Sequence, residues 1–202
     1  MRFHICAVGR LRHGPEKTLI DDYRGRFDKI GRSMAIGPLD FHEVEDKKGG
    51  GPRAEAVLLN NVIPDNSLIC TLDERGKLMS SPQFANLLAQ WRDQGQRDVS
   101  FIIGGADGLD PDLRSKASIS LSLGKMVWPH MMARLMLSEQ LYRSPLFLPA
   151  APTTGSENLE FDRIDPVSTP KNQVPKISSD QKPKKSAFAQ PCVLFYQTCA
   201  WP

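Results

Sequence analysis

Apolar and amphipathic runs alternate along the first 143 residues. FHICAVG (3–9) is a short apolar run closed by Gly, the pattern of a buried strand. GPEKTLIDDYRGRFDKI (14–30) predicts a helix: Gly-Pro opens it, and Leu19, Tyr23 and Phe27 recur at i+4. MAIGPLDFHEV (34–44) predicts a second strand interrupted by Gly-Pro, and DKKGGGPRAEAVLLNNVI (46–63) a basic Gly-rich loop entering a helix. SLICTLD (67–73) and DVSFIIGG (98–105) read as strands, with a helix between them at SPQFANLLAQWRDQG (81–95), capped by Ser and closed by Gly. DPDLRSKA (110–117) predicts a short capped helix and SISLSL (118–123) a short strand. WPHMMARLMLSEQLYR (128–143) predicts a terminal helix with Pro in its first turn.

Strands alternating with helices imply an α/β fold, with parallel pairing and helices on the faces of the sheet. Ligands then bind beyond the carboxyl ends of the strands. That brings three segments to one site: TLDERG (71–76), GGADG (104–108) and LGKMVW (123–128). GGADG is not the G-x-G-x-x-G of dinucleotide binding, and no G-K-[ST] occurs. It offers close backbone approach to a flat ligand, or simply a tight turn. LGKMVW could wrap a purine with main-chain amides and apolar side chains, or form a buried turn before the helix.

The chain changes character at Arg143. Nine of its 16 prolines fall in residues 144–202, where no period of 2 or 3.6 persists. Such a stretch buries too little apolar surface to offset its ordering entropy, so it reads as a disordered tail. Its end, CVLFYQTCAWP, is apolar without an evident partner. A linker with a short docking segment is the other reading.

Composition adds mostly exclusions. The chain has 202 residues, 40% hydrophobic and 24% charged, with a net charge of +3. That charge is too small to announce a nucleic-acid binder by its field alone. No run approaches the ~18 apolar residues of a membrane span. The apolar run after Arg2 is too short for a signal peptide, so a cytoplasmic protein is expected. Cys6, Cys70, Cys192 and Cys199 lack metal-ligand spacing, and no metal site is expected.

CAVGRLR, TLDERGK, DVSFIIGGADGLDP and ISLSLGKMVWPHMMARLMLSEQLYR, in this order and spacing, resemble the ribosomal RNA large subunit methyltransferase H family. That family is a small branch of the SPOUT class of knotted methyltransferases. The resemblance covers residues 1–143. It implies a parallel sheet with a trefoil knot toward its carboxyl end, a homodimer, and S-adenosylmethionine bound in the knot. The implied reaction methylates ring nitrogen 3 of a pseudouridine in 23S ribosomal RNA. Carried over by motif, the cofactor contacts would be Leu72, Gly104, Leu123, Gly124, Lys125, Met126, Val127 and Trp128. Val127 stands where relatives often have Thr.

Such a reaction needs the methyl group and its acceptor held in line, and it needs the acceptor to lose a proton. His130 is the catalytic candidate. At a helix start the dipole favours neutral imidazole, suited to accept a proton; bonding a backbone group there is the plainer use. Arg134 and Arg143 could hold RNA phosphate or a cofactor carboxylate, or be ordinary surface or dimer-interface charges. Met131, Met132, Leu135, Met136 and Leu137 give an apolar surface for core or partner packing. Lys47, Lys48 and Arg53, beside three glycines, make a cationic loop suited to phosphate or merely solvated.

Three functions remain open: an active pseudouridine methyltransferase, a non-catalytic relative binding cofactor or RNA, and a doubly wound nucleotide-binding oxidoreductase. Relatives usually end near Gly-His-Pro-Tyr-His-Arg, beside the active site, and nothing like it follows Arg143. The abrupt change suggests a shift of reading frame just after that residue. Read past codon 143, one of the other two frames is then expected to encode a Gly-His-Pro-Tyr-His-like ending; its absence from both would dispose of the idea.

Overall fold

The computed structural model describes residues 1–47 and 49–148. The expected disorder of the tail lies, from residue 149 onward, outside the described residues. In chain order the elements are β1 (Arg2–Val8), α1 (Pro15–Gly31), a 3-10 turn (Arg32–Met34), β2 (Leu39–Val44), α2 (Gly51–Val62) and β3 (Leu68–Leu78). They continue with α3 (Ser81–Asp93), β4 (Asp98–Ile103), α4 (Pro111–Ser115), β5 (Ile119–Ser122) and α5 (His130–Phe147). The five strands form one sheet in the order β2-β1-β4-β3-β5, every pairing parallel. The α/β architecture expected from the alternation is the one observed.

Burial on both faces explains the continuous apolar runs. Phe3, Ile5 and Ala7 of β1 join Val99, Phe101 and Ile103 of β4 in one core, which also holds Phe27, Phe84, Leu88, Leu137 and Leu141 of α1, α3 and α5. Cys6, Val8 and Ile102 face the other way, onto Ala56 and Leu59 of α2 and Leu113 of α4. Burial pushes the thiols of Cys6 and Cys70 up to about 12, so both behave as small apolar groups.

One polar cluster interrupts the second face. Buried His4 bonds His42 Nε2 through Nδ1 at 3.1 Å and Asp98 Oδ1 through Nε2 at 2.9 Å. Arg2 reaches the same carboxylate at 2.8 Å. Burial opposes ionisation of Asp98, but the bonds from His4 and Arg2 prevail and hold its carboxyl below the usual range.

Three element boundaries differ from the pattern reading. β2 begins at Leu39, because residues 32–34 form a 3-10 turn and Pro38 has no N–H for the ladder. β3 runs on to Leu78: its pairing with β5 breaks between Leu72 and Lys77, both partnered with Leu121, and the four residues between swing out. α5 passes through Pro145 instead of ending at Arg143. Proline removes the N–H that would have bonded the Leu141 carbonyl. The Ser144 hydroxyl donates to that carbonyl instead, at 2.7 Å, and both Ser144 and Pro145 are buried.

Ser144→Ala would therefore leave a buried carbonyl without a donor. It is expected to destabilise the fold by about 1–2 kcal/mol, read as a lower urea midpoint at unchanged slope.

Candidate active site

All five strands are parallel, so their carboxyl ends share one side of the molecule. There, a cavity of about 680 Å³ opens among the loops after β4 and β5 and the out-swung segment of β3. The volume falls in the range of small-molecule sites. Of the eight residues expected to contact a cofactor, Leu72, Gly104, Leu123, Gly124, Met126, Val127 and Trp128 line it. Lys125 is exposed and is not among the lining residues.

Local chemistry builds each wall. Asp73 sits at the start of the out-swung segment, accepting Arg75 N at 2.9 Å and pairing with Arg114 at 3.1 Å. The segment returns through Gly76, where a β-carbon would fall 2.7 Å from the Leu121 backbone. The second wall is the tight GGADG turn, closed by Gly108 N donating to Gly105 O at 3.2 Å. A β-carbon on Gly104 would lie 2.7 Å from the Gly108 carbonyl oxygen, so the turn requires glycine there. Glu55 of α2 supports the turn from behind, accepting the Gly105 N–H; burial nonetheless raises its carboxyl above the usual range. The third wall is tied by Ser122, whose hydroxyl lies 2.8 Å from Gly124 O and 3.1 Å from Glu74 O and accepts Gly124 N at 3.2 Å. Beyond Gly124 the loop is open: Met126 is 68% and Val127 78% exposed, whereas most apolar side chains among the described residues are covered.

His130 is the first residue of α5 and lines the same cavity. No side chain caps this helix, so His130 does not serve as its N-cap. A β-carbon on Gly9 would lie 3.2 Å from His130 Nε2 and 3.5 Å from Arg134 Nη2. The end of β1 thus lies close against both side chains, and the φ of +85° at Gly9 is one that other residues rarely adopt. Burial, and then the charge of Arg134, push the imidazole below its ordinary pKa, so it is neutral at pH 7.

Arg134 is not available to RNA phosphate, contrary to the expectation. It is wholly buried, donating to Glu43 Oε1 at 2.9 Å, to Gly9 O at 2.8 Å and to Val8 O. Glu43 Oε1 also accepts Leu11 N at 3.1 Å. One guanidinium thus ties α5 to the ends of β1 and β2. Arg143 is half-exposed and pairs with Glu139 one turn back. It lies outside the cavity lining.

Pattern reading missed Glu43, Asp73, Arg114, Glu55 and Ser122. Asp73 and Arg75 lay inside a segment already marked by topology. Glu43 and Glu55 sit mid-element and carry no local signal.

Comparison with known proteins adds an independent line. The family model described as "Predicted SPOUT methyltransferase" matches residues 1–149, so the likeness runs past the boundary expected at Arg143. A Ribosomal RNA large subunit methyltransferase H from Ruegeria sp. (strain TM1040) is 64% identical over 152 residues, 75% of this chain and 97% of that protein. The protein of the same name from Dinoroseobacter shibae is 59% identical over the same coverage. A solved structure, a probable methylase family protein from Haemophilus influenzae Rd KW20, aligns at TM-score 0.38 and 13% identity over 72% of this chain and 66% of that one; a likeness at that level says nothing of function.

Arg134→Met keeps bulk and removes the charge, taking from two carbonyls and Glu43 the donor that α5 supplies and leaving Glu43 only the Leu11 N–H. A loss of about 2–4 kcal/mol is expected, discounted because Glu43 is partly exposed. His130 should titrate below the ordinary histidine range in the parent chain and higher in the variant, followed by NMR. Its depressed folded pKa makes the stability contribution full above the unfolded value near 6.5. That contribution is lost as pH falls through the folded value.

Proposed function

The chain belongs to the SPOUT methyltransferase family, and on that premise we propose that it methylates ring nitrogen 3 of a pseudouridine in 23S ribosomal RNA, using S-adenosylmethionine. The coarser statement, a methyltransferase of large-subunit ribosomal RNA, follows from relatives of that name that align over nearly their whole length. The observation carrying the finer reading is the convergence of Leu72, Gly104 and the 123–128 loop on one cavity beside an uncapped, neutral His130. The trefoil knot implied by the resemblance is part of the proposal, supported by three separate loops sharing that cavity.

The residues present fit the cofactor. Gly104 admits close main-chain approach because a side chain there would strike the turn. The exposed Met126, Val127 and Trp128 offer apolar and aromatic surface to an adenine ring. Asp73, Glu74 and Asp107 line the cavity and suit a cationic sulfonium. When bound, S-adenosylmethionine supplies an activated methyl group and a thioether leaving group.

The chain's own contribution is positioning and proton transfer. Nitrogen 3 of the base gains a bond to carbon and must shed its proton. His130, neutral at pH 7 and free of hydrogen bonds among the described residues, can accept that proton at a ring nitrogen. The turn at 104–108 and the tie made by Ser122 hold the cavity walls in register, so methyl and acceptor meet in line.

We also propose a homodimer. The supporting observation is an apolar groove of about 390 Å³ between α1 and α5, lined among others by Leu19, Tyr23, Leu78, Leu135 and Met136. A cytoplasmic site of action fits a ribosomal substrate, and among the described residues no helix is long and apolar enough to cross a membrane. Without the Gly-His-Pro-Tyr-His-like ending, the proposed behaviour of this chain is cofactor binding with weak turnover.

Calorimetry should detect binding of S-adenosylmethionine and none of NAD; the reverse would favour the oxidoreductase. Labelled methyl should appear on large subunits purified from cells lacking the modification. His130→Ala should lower kcat by about 10²–10⁴ with cofactor affinity unchanged. In the parent, kcat should rise with pH through the imidazole titration; an unchanged rate in the variant would remove His130 from the mechanism.

A further inference from the structure

We propose that the loops after β1 and β2 form a docking strip for the phosphate backbone of RNA, centred on Arg10 and Arg12. The inference rests on the proposed methyltransferase reading and adds the surface that receives the substrate.

Sheet order separates two electrostatic regions on the active side. β2 and β1 lie at one edge, while β4, β3 and β5 carry the cavity. The cavity side holds Asp73, Glu74 and Asp107, partly balanced by Arg75 and Arg114. The β1–β2 side presents Arg10, Arg12, Lys47 and Arg53, all exposed. Arg12, Lys47 and Arg53 have no partner among the described residues. Arg10 has one long contact, 3.9 Å to half-exposed Glu45, which contributes little at a surface.

The β1–α1 loop is also built to present its charges. Leu11 is buried at 5% exposure, and its N–H is fixed on Glu43 at 3.1 Å. Gly9 N is fixed on Val44 O at 2.8 Å. Arg10 and Arg12 flank that anchor and both stay in solvent. A cation on an anchored loop loses less conformational freedom when a phosphate arrives than one on a free loop. The same Glu43 carboxylate holds Arg134 and, through it, the start of α5. The strip is therefore continuous with His130, and RNA crossing it leads toward the cavity mouth. Among the described residues no aromatic ring stacks on these cations, so the contact is assigned to phosphate and not to base edges.

The test uses the full chain and large ribosomal subunits lacking the modification. Filter binding is run from about 50 to 200 mM salt on the parent, on Arg10→Gln/Arg12→Gln, and on Lys29→Gln/Arg97→Gln. The last removes equal charge at the far end of the strands. The strip predicts at least a tenfold loss for the first pair, with the log–log salt slope reduced by about two. It predicts little change for the second pair and unchanged S-adenosylmethionine binding in both. Equal losses in both pairs would reduce the effect to net charge and overturn the strip, as would no loss in the first pair or no subunit binding by the parent. Competition by polyglutamate as strong as by RNA would assign the surface to an acidic protein instead. Methyl transfer by the parent is scored separately, so a failure of the activity is distinguishable from a failure of the surface.

Discussion

The site depends on a guanidinium shut away from water. Burying a charge is costly unless it is paired, and Arg134 is paired through its two terminal nitrogens with one carboxylate and two carbonyls at the ends of adjacent strands, while its Nε is buried without a partner among the described residues. These partners come from β1, its following loop and β2, whereas the donor comes from α5. The contact thus joins segments more than ninety residues apart in sequence. It fixes where α5 begins relative to the sheet, and His130 is that beginning. Burial lowers the pKa of His130 first, and the permanent charge of Arg134 beside the imidazole adds to that effect. The interaction that positions the candidate base thus also contributes to its tuning. Gly9 suits this place, since its φ of +85° disfavours other residues and a β-carbon there would press on His130.

Parallel pairing does the rest. With every strand pointing the same way, five loops reach one end of the sheet, and strand order decides which of them are neighbours. The loops that wall the cavity come from β3, β4 and β5, which are adjacent. In β3 the wall is made by leaving the ladder: four residues swing out and the strand rejoins the same partner residue, Leu121. Gly76 makes the return possible by lying against the backbone of β5.

Much of this was legible in the chain, and the exceptions share a cause. The strands could be read because both faces of a parallel sheet are buried, which turns FHICAV and DVSFII into unbroken apolar runs. Convergence of three loops followed from topology alone. Arg134 was not legible as a buried residue, because an arginine one turn past a histidine on an amphipathic helix ordinarily faces water. Its signal was present but needed the right phase. The covered stripe of α5 runs through Ala133, Arg134, Leu137, Ser138, Leu141, Ser144 and Pro145, so polar residues recur on the apolar period. Pro145 was misleading for a related reason. A proline inside a helix removes one hydrogen bond and crowds the preceding turn; here the Ser144 hydroxyl supplies the donor that the Leu141 carbonyl lost. In both cases the deciding fact is a partner supplied elsewhere in three dimensions.

The proposed methyl transfer from a sulfonium to RNA imposes an electrostatic problem that this sheet is suited to solve. One reactant is cationic where it reacts, the other is a polyanion, and a site uniformly favourable to one repels the other. Separate regions avoid the conflict only if they lie close enough for the reacting atoms to meet. Here acids line the cavity over β3 and β4, and exposed arginines stand beyond β1 and β2. Between them lies the seam where Gly9 meets His130. A neutral group is what such a seam requires: an imidazolium there would repel the sulfonium, and a carboxylate would repel phosphate. The depressed pKa of His130 is therefore consistent with its place between the two fields as well as with a role in accepting a proton.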